Sequence, residues 1–358
     1  MILLIDMIDT RYTKANEIVK YQFLKELEHS GINGNDPKSE DTVWQYEKAI
    51  HEFEVATNFK DFKKYDSEFA LEFKSYLEHK KNQRTGKAIS KSFYIHYLKF
   101  VKEFFEWLKT ENKEYSKITQ KDINFLKTNK NDKNTALATP YQPSHPINVI
   151  LAVIRNMPAT TLIEIRNKAM VSLCLVTTPR ISALKTARIS SIKHFIEYEA
   201  WAFDQHPRLV DTKYKRHITS FFIGQSQDII DNVLNWWNFL KKKGFKSDDY
   251  LFPRIDSSFD SKGQSICQLS NKIMGSSSWI GRSIFKKAFK NNDVEFYRVH
   301  SFRHSIERAM EKEPYATQLL IALAENDGHK NQMATLISSY GGNYMIERSK
   351  LMKGFKLE

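Results

Sequence analysis

A mainly α-helical fold with a small antiparallel β-sheet is predicted, and three observations predict it. Helical periodicity runs with few breakers through residues 41–126. Strand-like alternation is confined to residues 191–203 and 212–223, with a turn near residues 205–208. A polar, aperiodic stretch at residues 128–145, followed at once by Pro146, separates the purely helical part from the mixed one. The 358 residues suffice for two or three domains, and 41% hydrophobic and 13% aromatic content exclude a disordered chain. The expected division is an N-terminal extension at 1–37 (an arm or a cap), a helical domain at 38–128, a linker at 129–145, and a mixed domain with a C-terminal tail at 146–358.

The clearest helix covers residues 90–108. Ser90 is a good N-cap, and Tyr94, Leu98, Val101, Phe105 and Leu108 form one apolar stripe. Lys91, Lys99 and Lys102 lie mostly off that stripe, so the aromatics read as core and the lysines as candidate phosphate contacts. Helical pattern resumes at 147–155, breaks at Pro158 and continues from 162 to 176. After the two strand-like stretches the remainder is mainly helical, apart from a Gly/Ser/Asp-rich loop at 256–265.

Charge points to a polyanionic partner. The net charge is +13, and it is unevenly spread: −6 over residues 1–79, +8 over 80–143 and +11 over 144–358. Two cysteines, Cys174 and Cys267, make neither a disulfide framework nor a metal-ligand cluster, which suits a reducing cytoplasm. The apolar opening is only five residues long and lacks a basic leader, so no signal peptide is read, and no stretch has the length of a membrane span.

Several residues carry chemistry. Arg180 ends a nearly uncharged helix, where a guanidinium suits bidentate phosphate binding; by itself it also reads as an ordinary helix-start arginine. Lys213 lies in a basic turn, where an ammonium can protonate a leaving oxygen, and Lys215 and Arg216 compete for the role. His300 and Arg303 stand one helical turn apart, leaving Phe302 to point into the core. Gly328 ends a helix and sets His329 beside it. Tyr340, followed by two glycines, is a candidate phenolic nucleophile, with Tyr344 as the fallback.

In this order Arg180, Lys213, His300-x-x-Arg303, Gly328-His329 and Tyr340 resemble the active-site series of the tyrosine recombinase (lambda integrase) family. The resemblance covers roughly residues 40–345. Residues 299–303 and 338–341 are its most specific pieces, while residues 211–215, Phe221-Phe222-Ile223 and Leu251-Phe252-Pro253 are similar to integrases of phages and mobile elements. The chain departs from the family at Thr178, where a glycine is usual, at Ala183, where an acid is usual, and in a longer stretch from His329 to Tyr340.

The resemblance implies a helical core-binding domain and a mixed catalytic domain closing on duplex DNA as a clamp. It implies in-line attack by Tyr340, with Arg180, Arg303 and His329 on the equatorial oxygens. Lys213 then protonates the 5′ oxygen and His300 assists proton transfer. Neither cofactor nor metal is expected. The implied partners are double-stranded DNA at specific sites and, on two such sites, a homotetramer whose tail at 343–358 docks on a neighbour; the free protein would be a monomer or weaker oligomer, with no membrane association. Two rival readings are a DNA-binding relative that no longer cuts, supported by Ala183, and a type IB topoisomerase.

Overall fold

The computed structural model describes residues 13–32, 35–83, 85–137, 143–212, 215–224, 226–259, 265–275, 278–328 and 344–355. The chain divides into two compact units, Met1–Pro140 and Tyr141–Glu358. Among the described residues the fold is mainly helical, with two small antiparallel sheets. No described helix is long and apolar enough to cross a membrane.

The first unit is built on α1 (Lys14–His29), α2 (Glu40–Ala56), α3 (Ser67–His79), α4 (Lys91–Glu111), α5 (Gln120–Asn124) and α6 (Lys130–Leu137). Ser90 caps α4, its side chain accepting from the Phe93 amide at 3.2 Å. The helix buries Tyr94, Leu98, Val101, Phe105 and Leu108 as the stripe requires. It also buries Tyr97, Phe100, Phe104 and Trp107, because α1 and α2 cover a second side of it. Phe53, Phe62, Phe104 and Phe105 meet largely edge-to-face in the centre. Truncating a ring such as Phe105 to alanine would cost about 3–5 kcal/mol.

Two expected boundaries differ from the structure. The extension at 1–37 contains α1, whose Val19, Phe23 and Leu27 are core residues and whose Lys20 pairs with buried Glu54 at 2.9 Å. Trp107 also donates to Glu26 at 2.9 Å. An amphipathic helix that buries one face in the core is thus part of this unit rather than an extension to it. The polar stretch at 129–145, read as a linker, contains α6. There Asn129 accepts from the Asp132 amide at 2.7 Å, and Asp132 pairs with Lys91 of α4 at 2.8 Å. A cap and a tertiary ion pair hold a helix that its composition alone does not favour.

The second unit starts with α7 (Ile147–Arg155) and α8 (Leu162–Thr177). The latter is capped by a reciprocal pair in which Thr161 accepts from Glu164 and Glu164 accepts from the Thr161 backbone. From Ala169 to Thr177 every residue of α8 is buried, since α7, α10, α11, α12 and β3 surround it. After α9 (Ile181–Thr186) come β1 (Ile192–Phe195), β2 (Ala200–Gln205) and β3 (Ile218–Phe221), an antiparallel sheet in the order β1-β2-β3. Residues 191–203, expected as one strand, are therefore a hairpin. A tight turn at 196–198 and Glu199 at φ +48° reverse the chain, so alternation persists through a change of direction.

The remaining elements are α10 (Gln227–Lys242), β4 (Pro253–Phe259), β5 (Ser265–Ile273), α11 (Ser278–Lys290), α12 (Ser301–Met310), α13 (Ala316–Asn326) and α14 (Tyr344–Gly354). In the described part of the loop expected at 256–265, residues 256–259 belong to β4 and Ser265 opens β5, with Ile255 opposite Leu269 and Ser257 opposite Cys267. The Gly/Ser/Asp composition hides a pairing that only the partner strand supplies. The tail expected to dock on a neighbour lies, in its described part, within its own unit. Met352 and Phe355 are in the core, and the Met352 carbonyl accepts from Gly224 at 3.1 Å.

Candidate active site

Arg180 directly follows the end of α8. Its half-buried position is set by a reversal at Thr178, which closes α8 in the left-handed region at φ +42° and ψ +41°, so that Arg180 becomes the N-cap residue of α9. Thr178 occupies the place where the family resemblance leads one to expect glycine, and the backbone adopts the glycine-type conformation anyway. Its side chain is occupied: the hydroxyl donates to a carboxylate oxygen of Asp327. Ala183, where an acid is expected, is 1% exposed and packed in the core.

His300 and Arg303 belong to the start of α12, His300 as the N-cap residue. They do not share one environment. Arg303 is 2% exposed, whereas His300 is open to solvent. Phe302 turns into the core against Phe285 and Phe289. Arg303 donates through Nη2 to the Thr178 carbonyl at 2.7 Å, and its Nε stands 2.8 Å from Asp327 Oδ2. That Nε–H is not aimed at the oxygen, so the second contact is an ion pair rather than a hydrogen bond.

The electrostatics follow from this crowding. The imidazole of His300 is held down to about 4, by desolvation of its packed side and then by the neighbouring Arg303, His304, Arg298 and Arg180. Solvent access tempers the first cause, and the surrounding cations fix the direction. His300 is therefore neutral near pH 7. Asp327 is pushed up to about 7 by burial, which the charge of Arg303 and the Thr178 hydroxyl oppose.

Asp327 belongs to a buried turn that the sequence did not single out. Asn326, fully buried, accepts from the Phe221 amide at 2.7 Å and donates to the Phe221 carbonyl at 2.9 Å, extending β3 as a strand would. Gly328 at φ +69° presses on Ile218, whose Cδ1 would lie 2.4 Å from an added Cβ. Residues 326–328 thus fix, from within the unit, the backbone that leads directly to position 329.

The structure brings Arg180, His300 and Arg303 into one electrostatic neighbourhood with Asp327. Lys213, His329 and Tyr340 lie outside the described residues, as does the side chain of Tyr344. Lys215, on the same connection as Lys213, is exposed, with Nζ 3.6 Å from Asp211; Arg216 is half-buried. In the first unit Lys91 is engaged with Asp132, Lys102 pairs with Glu106, and the more exposed Lys99 is 3.7 Å from Glu103. Lys99 and Lys102 line one groove with Lys127 and Lys133. Neither of the last two was singled out from sequence: Lys127 lies at the end of the stretch expected as the helical domain, and Lys133 lies in the stretch read as linker.

No protein-family model matches the chain, and no curated protein matches it in sequence. Solved structures do. The chain is similar to a lambda integrase(75-356) dimer bound to a COC' core site, with a TM-score of 0.55 at 14% identity, covering 92% of this chain and 95% of that one. It is similar to the XerH site-specific recombinase bound to palindromic difH substrate in a post-cleavage complex, with a TM-score of 0.55 at 14% identity over 94% and 84% of the two chains. A lambda integrase tetramer bound to a Holliday junction gives 0.52 at 13% identity over 88% and 77%.

Proposed function

We propose that this chain, which has the fold of the tyrosine recombinases, is a site-specific DNA recombinase that breaks and rejoins strands through a covalent 3′-phosphotyrosine, serving integration or excision of a phage or mobile element. The observation that carries the reading is the gathering of Arg180, His300 and Arg303, from two separate stretches of chain, into one cationic neighbourhood. A phosphodiester gains negative charge on its equatorial oxygens as it is attacked, and fixed guanidinium groups in a partly water-excluded place stabilise that charge without reorganising. A neutral imidazole at His300 can accept a proton, which an imidazolium cannot.

In this reading Tyr340, passing its phenolic proton to His300, attacks the scissile phosphorus in line and expels the 5′ oxygen, which takes a proton from Lys213. Arg180, Arg303 and His329 hold the equatorial oxygens. A 5′ hydroxyl then attacks the phosphotyrosine, restoring the phosphodiester and the phenol. Lys99, Lys102, Lys127 and Lys133, which share a groove, and Lys91, Lys215 and Arg216 contact backbone phosphates. Recombination of two sites takes four copies of the chain.

Nicked suicide duplexes carrying candidate attachment sites test the reading. Wild type traps a protein–DNA adduct and Tyr340→Phe does not. An adduct that persists in Tyr340→Phe and vanishes in Tyr344→Phe moves the nucleophile to Tyr344, and the absence of any adduct with every site defeats the enzymatic reading.

A further inference from the structure

We propose that Asp327 is a positioning residue of this active site, its carboxylate acting with Thr178 to hold the Arg303 guanidinium in place from the protein interior. This rests on the recombinase reading above and adds to it a residue that none of the six candidate catalytic positions includes.

The first argument is placement against cost. The side chains of Arg303 and Asp327 are 3% and 1% exposed. Burying two charges is unfavourable unless they face each other, and removing one partner strands the other. Asp327 also closes the C-terminal end of α13, where the helix dipole is negative and a carboxylate is disfavoured. Burial and dipole both oppose an anion here, and the nearby cation is what offsets them. Its neighbour makes the contrast plain: docking α13 to β3 is done by neutral Asn326 through its amide. Asp327, by contrast, faces a cation.

The second argument is connectivity. Thr178 donates to Asp327 Oδ1, Asp327 Oδ2 lies 2.8 Å from Arg303 Nε, and Arg303 Nη2 donates to the Thr178 carbonyl at 2.7 Å. The ring closes on itself, so the guanidinium is engaged at two of its nitrogens, by a hydrogen bond at Nη2 and an ion pair at Nε. It also joins three stretches of chain near the candidate catalytic groups: Thr178 is two residues before Arg180, Arg303 three after His300, and Asp327 two before His329. A shift of the carboxylate would therefore be felt at the guanidinium and at both flanking segments. Displacing a catalytic group by about 1 Å lowers a rate by about 10²-fold.

The test compares single-turnover adduct formation on a nicked suicide duplex with affinity for the intact duplex, at mildly alkaline pH. Asp327→Asn, isosteric and still able to accept from Thr178, is expected to slow cleavage by about 10²-fold while duplex affinity stays at the wild-type value. Asp327→Glu recovers part of the rate. Added to Arg303→Ala, Asp327→Asn causes no further loss, because the two act as a unit. Wild-type cleavage by Asp327→Asn, or a full independent loss in the Arg303→Ala background, overturns the proposal. Should thermal melting show Asp327→Asn unfolded, Thr178→Ala replaces it, since it removes the hydroxyl that steadies the carboxylate; wild-type cleavage or an independent loss then overturns the proposal in the same way. Failure of the recombinase reading looks different: wild type itself then forms no adduct, and both proposals fall together.

Discussion

Thr178 is a β-branched residue held at φ +42°, with its hydroxyl bound to a buried carboxylate. Two opposing terms meet there. The left-handed backbone costs about 1–2 kcal/mol for a residue with a Cβ. The hydrogen bond to a charged acceptor contributes about 1.5–3 kcal/mol. Thr178→Ser keeps the hydroxyl and drops only a methyl, so stability should move by no more than about 0.5 kcal/mol. Thr178→Ala keeps the strain and loses the bond, for a loss of about 1.5–3 kcal/mol. Thr178→Gly loses the bond but relieves the strain, partly offset by the greater chain entropy of glycine when unfolded, so it should exceed alanine by about 1 kcal/mol. The expected order is Thr and Ser together, then Gly, then Ala. Urea unfolding gives the totals. Native-state hydrogen exchange at the amides of Thr178 and Asp327, which donate to Cys174 at 3.0 Å and Leu323 at 2.9 Å, assigns the effect to this junction rather than to the other unit. Alanine as stable as glycine would show that the backbone is unstrained, and serine as poor as alanine would show that the hydroxyl is not the operative group.

Gly328→Ala places a Cβ 2.4 Å from Ile218 Cδ1 at φ +69°, and should cost at least about 2 kcal/mol. Combined with Ile218→Ala it should cost less than the two singles added, because the clash is gone; melting temperatures that add without coupling would contradict this. The acid–base linkages of Asp327 and His300 run in opposite senses. Asp327, which faces Arg303, Glu307 and Arg180, is raised to about 7 when folded, so its contribution is full below its unfolded pKa of 3.8 and is lost as pH rises through about 7. His300 is lowered to about 4, so its contribution is present above 6.5 and lost as pH falls toward 4. In melting curves taken across that range, Asp327→Asn should steepen the rise of stability with pH and His300→Gln should flatten it; shifts in the reverse directions refute the assignment. Finally, Lys99→Gln should weaken duplex binding about equally for all sequences and reduce the salt slope by about 0.9 for each phosphate no longer neutralised. An unchanged slope removes Lys99 from the interface.

Much of the architecture is local and so was legible. The stripe on α4, the Ser90 cap, the break at Pro158 and the buried run of α8 are set by side-chain periodicity and by backbone groups within a few residues of each other. Arg180, His300 and Arg303 were singled out for another reason, the resemblance of their types and order to a known series; in the structure the charges of Arg303 and Arg180 both bear on His300. The misreadings have one character. A polar stretch became α6 because Lys91 reaches Asp132 across 41 positions, and residues 256–259, expected in a loop, form a strand because β5 lies opposite β4. Neither partner can be seen from the segment itself.

By itself the sequence determined the long helices α4 and α8, the apolar face of α4, and which side chains have chemistry to offer. Only the tertiary structure decided that α1 belongs to the core, that α14 packs within its own unit, and that Asp327 stands against Arg303. The physical reason is that burial and Coulomb energy depend on what lies across space. An aspartate after a helix looks like a solvated turn until the buried cation beside it is known.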